Sequence, residues 1–143
     1  MSDGLLSRAR AAFDAAPPVG DAAYDRYCRV LGEELLAHWP RIAAANAADV
    51  AAAQRLGMPP TLVERLRLTD AHRDRMVALT AMTRDELRQV RETEVPVSGA
   101  ARHVHRVPRP LGVVLMVYEA RPTVTVDGAL LPVAVGNAVL LRG

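Results

Sequence analysis

Four side chains in the last quarter of the sequence could do chemistry if the chain brought them together. Tyr118 and Glu119 end an apolar run that starts at Leu111. Arg121 follows just before Pro122, and Arg142 closes a second apolar run, Ala138 to Leu141. A guanidinium grips phosphates and carboxylates through a planar fork of donors. A phenol can donate or accept, and a carboxylate accepts. Such a set suits an anionic ligand or a nucleotide. The plainer alternative is that Glu119 and Arg121 solvate a loop as a surface pair worth about 0–1 kcal/mol.

The elements on either side decide between these. Val113 to Tyr118 is short, β-branched and continuously apolar, which predicts a fully buried strand. Thr123 to Val135 predicts a helix ended by Gly136, although Gly128 and Pro132 inside it cost about 1 and 3 kcal/mol. Ala138 to Leu141 predicts a second buried strand. Two such strands joined by about a dozen residues imply a parallel, right-handed strand–helix–strand unit. Its strands end on one edge, where α/β sheets bind ligands. The helix after Pro122 also turns its free amides and partial positive charge toward that edge. A sheet of two strands leaves an apolar edge in need of neighbours, so self-association is expected.

Residues 1–92 read as a helical lead-in. Leu5, Leu6, Ala9, Ala12, Phe13 and Ala16 recur at helical spacing up to Pro17-Pro18. Tyr24 to Trp39 predicts a second helix, ended or kinked by Pro40. The Ala-rich stretch Ile42 to Leu56 predicts a third, stopped at Gly57. Thr61 with Glu64 and Thr83 with Glu86 form capping-box patterns, and Thr69 can cap a helix from Asp70 to Met82. Residues 93–110 change character. Val95 to Val97 and Arg102 to Val107 predict short extended pieces around Ser98-Gly99, and Pro108 and Pro110 exclude a central strand. Residues 111–143 hold the strand–helix–strand unit, so the fold class is α/β.

Composition narrows the functions. The chain has 143 residues and a net charge of +2, every basic residue being Arg. One cysteine, Cys28, excludes an internal disulfide and fits a reducing cytoplasm. Neither a signal peptide nor a run of about 20 apolar residues is present, so a cytoplasmic protein without a membrane segment is expected. His103 and His105 share a strand face, but no third metal ligand lies nearby. Arg102, Arg106 and Arg109 form a modest basic patch without interleaved aromatics, which argues against nucleic acid as a partner. Asn46 and Asp49, one turn apart, read as a hydrogen-bonded helix face, and Cys28 as a small core residue.

The stretch PLGVVLMVYEARPTVTVDGALLPVAVGNAVLLRG resembles a segment of γ-glutamyl phosphate reductase, whose family form runs PLGV…YE(A/S)RPNVTVDAA…GNAVILRGG. Upstream, Asn46 and Asp49 match the family's AN-x-x-D spacing, and Glu64-Arg65-Leu66 with Arg73 match DRL-x-L-x-x-x-R. The resemblance implies the N-terminal portion of an aldehyde-dehydrogenase-like fold: a helical lead-in, a short hairpin and a parallel βαβ unit. It implies reduction of an acyl phosphate to the semialdehyde of proline biosynthesis, with NADP as cofactor and a cysteine nucleophile attacking the acyl group. On this basis Arg142 matches the strand-end basic residue that reaches the adenosine ribose. Tyr118, Glu119 and Arg121 match the loop beside the nicotinamide. Thr123 stands where the family has an Asn that can donate to an oxyanion, and Ala134-Val135 replaces its Lys-Ser. Gly136 and Asn137 match a structural turn.

Those correspondences imply no catalytic residue and no metal ligand in this chain, because the nucleophilic cysteine is expected beyond Gly143. The segment between Val90 and Pro110 is shorter than the family's, at the place of its oligomerisation hairpin. Two readings follow. One is the N-terminal segment of an NADPH-dependent reductase, inactive alone, whose partners are an acyl phosphate substrate and the missing region. The other is a non-catalytic binding or assembly module, partnered by a second copy or by a full-length dehydrogenase.

Overall fold

The computed structural model describes residues 2–92, 95–96, 105–106, 109–119 and 121–143. Five helices lead: α1 (Ser2–Asp14), α2 (Ala22–Ala37), α3 (Trp39–Arg55), α4 (Pro60–Leu66) and α5 (Asp70–Glu92). A two-residue ladder follows, β1 (Val95–Pro96) and β2 (His105–Arg106), antiparallel with Val95 opposite Arg106. The chain then forms β3 (Val113–Val117), α6 (Pro122–Ala134) and β4 (Ala138–Arg142). The expected turn at Ser98-Gly99, and with it Arg102 and His103, lies outside the described residues.

Local chemistry explains most helix ends. Asp21 caps α2, its carboxylate accepting the Ala23 N–H at 2.7 Å. α3 stops where Gly57 turns left-handed at φ +70. There the Met58 N–H reaches the Ala53 carbonyl and the Gly57 N–H reaches Gln54, both at 3.1 Å, the paired bonds of a Schellman ending.

Three expectations about the helices need correction. The second helix does not run to Trp39; α2 ends at Ala37, and Pro40 sits in the first turn of α3, where its missing amide costs nothing. Thr61 caps nothing, because Pro60 begins α4 and no side chain caps it. Glu64 instead pairs with Arg67 at 3.4 Å. Thr83 opens no new helix, since α5 runs unbroken through it and no Gly or Pro interrupts residues 70–92. Thr69 does precede α5 as expected, and His72 Nδ1, three residues on, accepts its backbone N–H at 3.1 Å.

The main core lies where α2, α5 and α6 meet. Tyr24, Cys28, Leu87, Leu130 and Ala134 form one cluster, with Cys28 and Leu130 fully sealed. Tyr27 ties the ends of the chain across this core, its hydroxyl donating to the Ala129 carbonyl at 2.8 Å. A second cluster joins Leu35, Trp39 and Met76, with Val126 of α6 packed against it. There the Trp39 indole donates to Asp70 at 2.8 Å.

β3 and β4 pair in parallel, from Val113 beside Ala138 to Val117 beside Arg142, with α6 as the crossover. The α/β class and the parallel unit therefore stand, although helices make up most of the chain. Gly128 has a packing reason to interrupt α6: a Cβ there would lie 2.8 Å from Leu141 Cδ2 and 3.0 Å from Met116 Sδ. Glycine lets the helix sit down on the sheet. Pro132 lies in the last turn of α6. The expectation of fully buried strands fails: β4 is only half-buried along Ala138 to Leu141, and in β3 Leu115 is 63% and Val117 69% exposed, because no described element covers those two side chains. Among the described residues, no helix is long and apolar enough to cross a membrane.

Candidate functional site at the carboxyl edge of the sheet

Parallel pairing brings the ends of both apolar runs to one edge. The Tyr118 N–H donates to the Arg142 carbonyl at 3.0 Å, extending the ladder one step past β3. The Tyr118 ring lies over Gly143, where a Cβ would come within 3.0 Å of it. Its hydroxyl shares a 2.8 Å hydrogen bond with Thr125 Oγ1. Tyr118, Arg121, Pro122, Thr125 and Gly143 enclose a small cavity of about 140 Å³.

The chain turns sharply after β3, the Arg121 N–H reaching the Glu119 carbonyl at 2.6 Å. Arg121 occupies the N-cap of α6 in an extended conformation, and no side chain caps the helix. The early amides of α6 therefore keep their capacity to donate to a ligand. They open toward a cleft of about 410 Å³ between α6, the α4–α5 connection and the first turns of α5.

Four guanidiniums line this cleft, from Arg65, Arg67, Arg75 and Arg121. Two are engaged at its rim: Arg65 with Glu119 and Arg67 with Glu64, each at 3.4 Å and each exposed. Such pairs are weak and readily exchanged. Among the described residues, neither Arg75 nor Arg121 has a side-chain hydrogen bond or ion pair. Thr123 and Asp127 contribute from α6, and His72 and Met76 from α5. Burial pushes the Asp127 carboxyl above its ordinary range, since a desolvated carboxylate without a partner favours its neutral form.

Of the residues singled out in the sequence, Arg121 and Thr123 face the main cleft, and Tyr118 and Arg121 the smaller one. Glu119 pairs with Arg65, not with Arg121. Arg142 stands exposed at the end of β4 and lines neither cavity. Sequence reasoning missed Arg65, Arg67, Arg75, His72 and Asp127. The signal for three of them was periodic: His72 and Arg75 are three apart on one helix, and Asp127 lies one turn after Thr123.

Asn46 is structural and supports this site. Its amide donates to the Leu66 carbonyl and accepts from the Leu68 N–H, both at 2.8 Å. It thereby braces the stretch that carries Arg65 and Arg67. Asn137 is likewise structural and buried, accepting the N–H groups of Leu111 at 2.6 Å and Gly112 at 3.0 Å. Cys28, the one cysteine, has no exposure and lies in the helical core. Burial, and next the nearby Asp25, push its thiol upward.

Comparison with known proteins gives a consistent picture. No family model matches the chain. The γ-glutamyl phosphate reductase of Chloroflexus aggregans is 38% identical over 146 residues, covering 95% of this chain and 32% of that protein. The γ-glutamyl phosphate reductase of Sorangium cellulosum is 41% identical over 150 residues, covering 97% of this chain and 34% of its own length. The crystal structure of the Thermotoga maritima γ-glutamyl phosphate reductase superposes with a TM-score of 0.70 at 28% identity, covering 96% of this chain and 33% of that one. The chain thus spans about a third of the length of the curated relatives it matches.

Proposed function

We propose, for a chain that belongs to the γ-glutamyl phosphate reductase family and matches its N-terminal part, that the cleft forms one wall of an acyl-phosphate reductase site. In this reading the protein is a cytoplasmic oxidoreductase of proline biosynthesis, and the neighbouring sheet edge receives NADP. The observation that carries it is the uncapped start of α6 opening into a cleft with four guanidiniums. An acyl phosphate brings a phosphoryl group of two negative charges, which that arrangement attracts. Thr123, in the first turn of α6, offers a hydroxyl to the acyl oxygen as charge develops there.

The sheet edge suits a nucleotide in three respects. Gly143 permits close approach beside the Tyr118 ring, Arg121 walls both cavities, and Arg142 is exposed where β4 ends. Tyr118, Glu119, Arg121, Thr123 and Arg142 would hold and orient the cofactor, which when bound supplies the hydride. Cys28 is sealed in the core and protonated at neutral pH, so it offers no thiolate to an acyl phosphate. Residues 1–143 are therefore expected to bind without turning over, the nucleophile coming from the family's remaining region in the same or another chain.

Titration calorimetry tests this with inorganic phosphate and NADPH, each against the chain and its Arg121→Gln and Arg142→Gln variants. Arg121→Gln should weaken both ligands about tenfold, the usual scale for one charge-assisted contact. Arg142→Gln should weaken NADPH alone. Equal affinity of all three proteins for both ligands would refute the reading, as would full turnover by residues 1–143.

A second reading, a non-catalytic module that assembles with a longer dehydrogenase, draws on the exposed Leu115 and Val117. Co-elution of the chain with a full-length homologue, without any phosphate or NADPH binding by the chain itself, would favour it.

A further inference from the structure

His72 uses one ring nitrogen in a way that fixes the other. It stands three residues after Thr69, which precedes α5, and its Nδ1 accepts the Thr69 backbone N–H at 3.1 Å. The Thr69 hydroxyl lies 2.8 Å from the same nitrogen. A backbone N–H can only donate, so Nδ1 carries no proton, and the neutral ring bears its proton on Nε2. Among the described residues nothing accepts from that Nε2. His72 is half-buried and lines the cleft with Arg121, Pro122 and Thr123 from the start of α6. Its face of α5 is fixed by Met76, four residues along, which is buried in the cluster that Val126 of α6 packs against.

His72 is the third residue of α5, the position from which a glutamate or glutamine ordinarily reaches back to the cap N–H. A glutamate there would make the same bond and turn a negative charge toward an anion site. Histidine accepts with one nitrogen, donates with the other and adds no charge. We propose that His72 is an anion-binding residue of the cleft, its Nε2–H donating to a phosphoryl oxygen while the Thr69 N–H holds the tautomer. This role rests on the acyl-phosphate reading and adds to that site an uncharged donor on the α5 wall. The arginines reach a ligand on long stems, and two of them are tied at the rim to Glu119 and Glu64. The imidazole is short and tethered through its own cap bond. It therefore offers a contact whose position is set before the anion arrives.

The test uses the full chain with nitrogen-labelled histidine, and inorganic phosphate as the probe, at about pH 8, where imidazole is ordinarily neutral. Two-dimensional spectra of the ring report which nitrogen carries the proton, and loss of signals in His72→Gln assigns them. The proton is expected on Nε2, and the Nε2 resonance is expected to move saturably with phosphate, at the midpoint found by calorimetry. His72→Ala removes both donor and cap, and should weaken phosphate about tenfold. His72→Gln keeps an acceptor for the cap and a donor for the cleft, and should recover most of that loss. Thermal melts check that each variant folds; if His72→Ala does not, the native spectrum decides alone. A proton on Nδ1, an Nε2 resonance indifferent to saturating phosphate, or a folded His72→Ala that binds phosphate as tightly as the native chain would each overturn the role of His72. If Arg121→Gln still weakened phosphate in that case, the anion cleft would stand without it. Failure of phosphate to bind the native chain would remove both.

Discussion

Leu130 in α6 and Cys28 in α2 have no exposed surface, whereas Leu115 and Val117 in the adjoining strand are 63% and 69% exposed. Both regions are rich in aliphatic residues, so the difference lies in geometry. A helix buries one stripe, and α2, α5 and α6 supply one another's partners. A strand has two faces: α6 packs on the sheet from one side, and α1, which also touches β3 and β4, leaves Leu115 and Val117 uncovered. The helical half finishes its own core. The strand–helix–strand half is finished on the α6 side, where Gly128 brings helix and sheet into contact, and left bare at Leu115 and Val117. The cleft lies on the finished side, so its walls are set by packing that the chain completes itself.

That contrast can be broken from either end. Leu130→Ala should have the largest effect, about 2–5 kcal/mol in urea unfolding, because it hollows a site with no room to collapse. Gly128→Val should follow at about 1–3 kcal/mol, by driving α6 off Leu141 and Met116, and should also blunt phosphate binding in the cleft. Asp127→Asn should change the pH dependence of stability. The raised Asp127 carboxyl means that the folded chain keeps a proton the unfolded chain has lost. Its contribution is complete below the unfolded carboxyl value, about pH 4, and is lost as pH rises through the folded value. Denaturant midpoints of Asp127→Asn across that range should lack the native protein's decline. Leu115→Thr should have the smallest effect on stability, within about 0.5 kcal/mol, while reducing self-association in sedimentation experiments.

Contiguity decided what the sequence disclosed. The β3–α6–β4 unit was legible because each piece is an unbroken apolar run with its own stop signal, and parallel pairing follows from the length of the crossover. Tyr118, Arg121 and Thr123 were legible for the same reason, standing next to one another at a strand end. The break at His38 was not, since Trp39 continues the apolar stripe of α2 in sequence while starting α3 in space. The capping boxes misled because Thr-x-x-Glu also occurs in a helix interior and behind a proline. Arg75 and Asp127 belong to helices about fifty positions apart, and only the packing of Val126 near Met76 makes them neighbours. A helix face can be read locally, but which face it meets is a tertiary fact.

Asn137 settles more than its own turn. One amide holds Leu111 and Gly112 through its oxygen, while its nitrogen donates to the Pro132 carbonyl at 3.1 Å. The start of one strand, the end of the crossover helix and the start of the other strand are thus indexed to a single side chain. A slip by one position would turn every residue of β3 to the opposite face, sending Leu115 and Val117 inward and Met116 out. It would also carry Tyr118 away from Gly143, and the two walls of the smaller cavity would no longer be level. The alignment of groups at the far edge, five residues distant, is therefore set at the near edge, where no ligand is expected to reach.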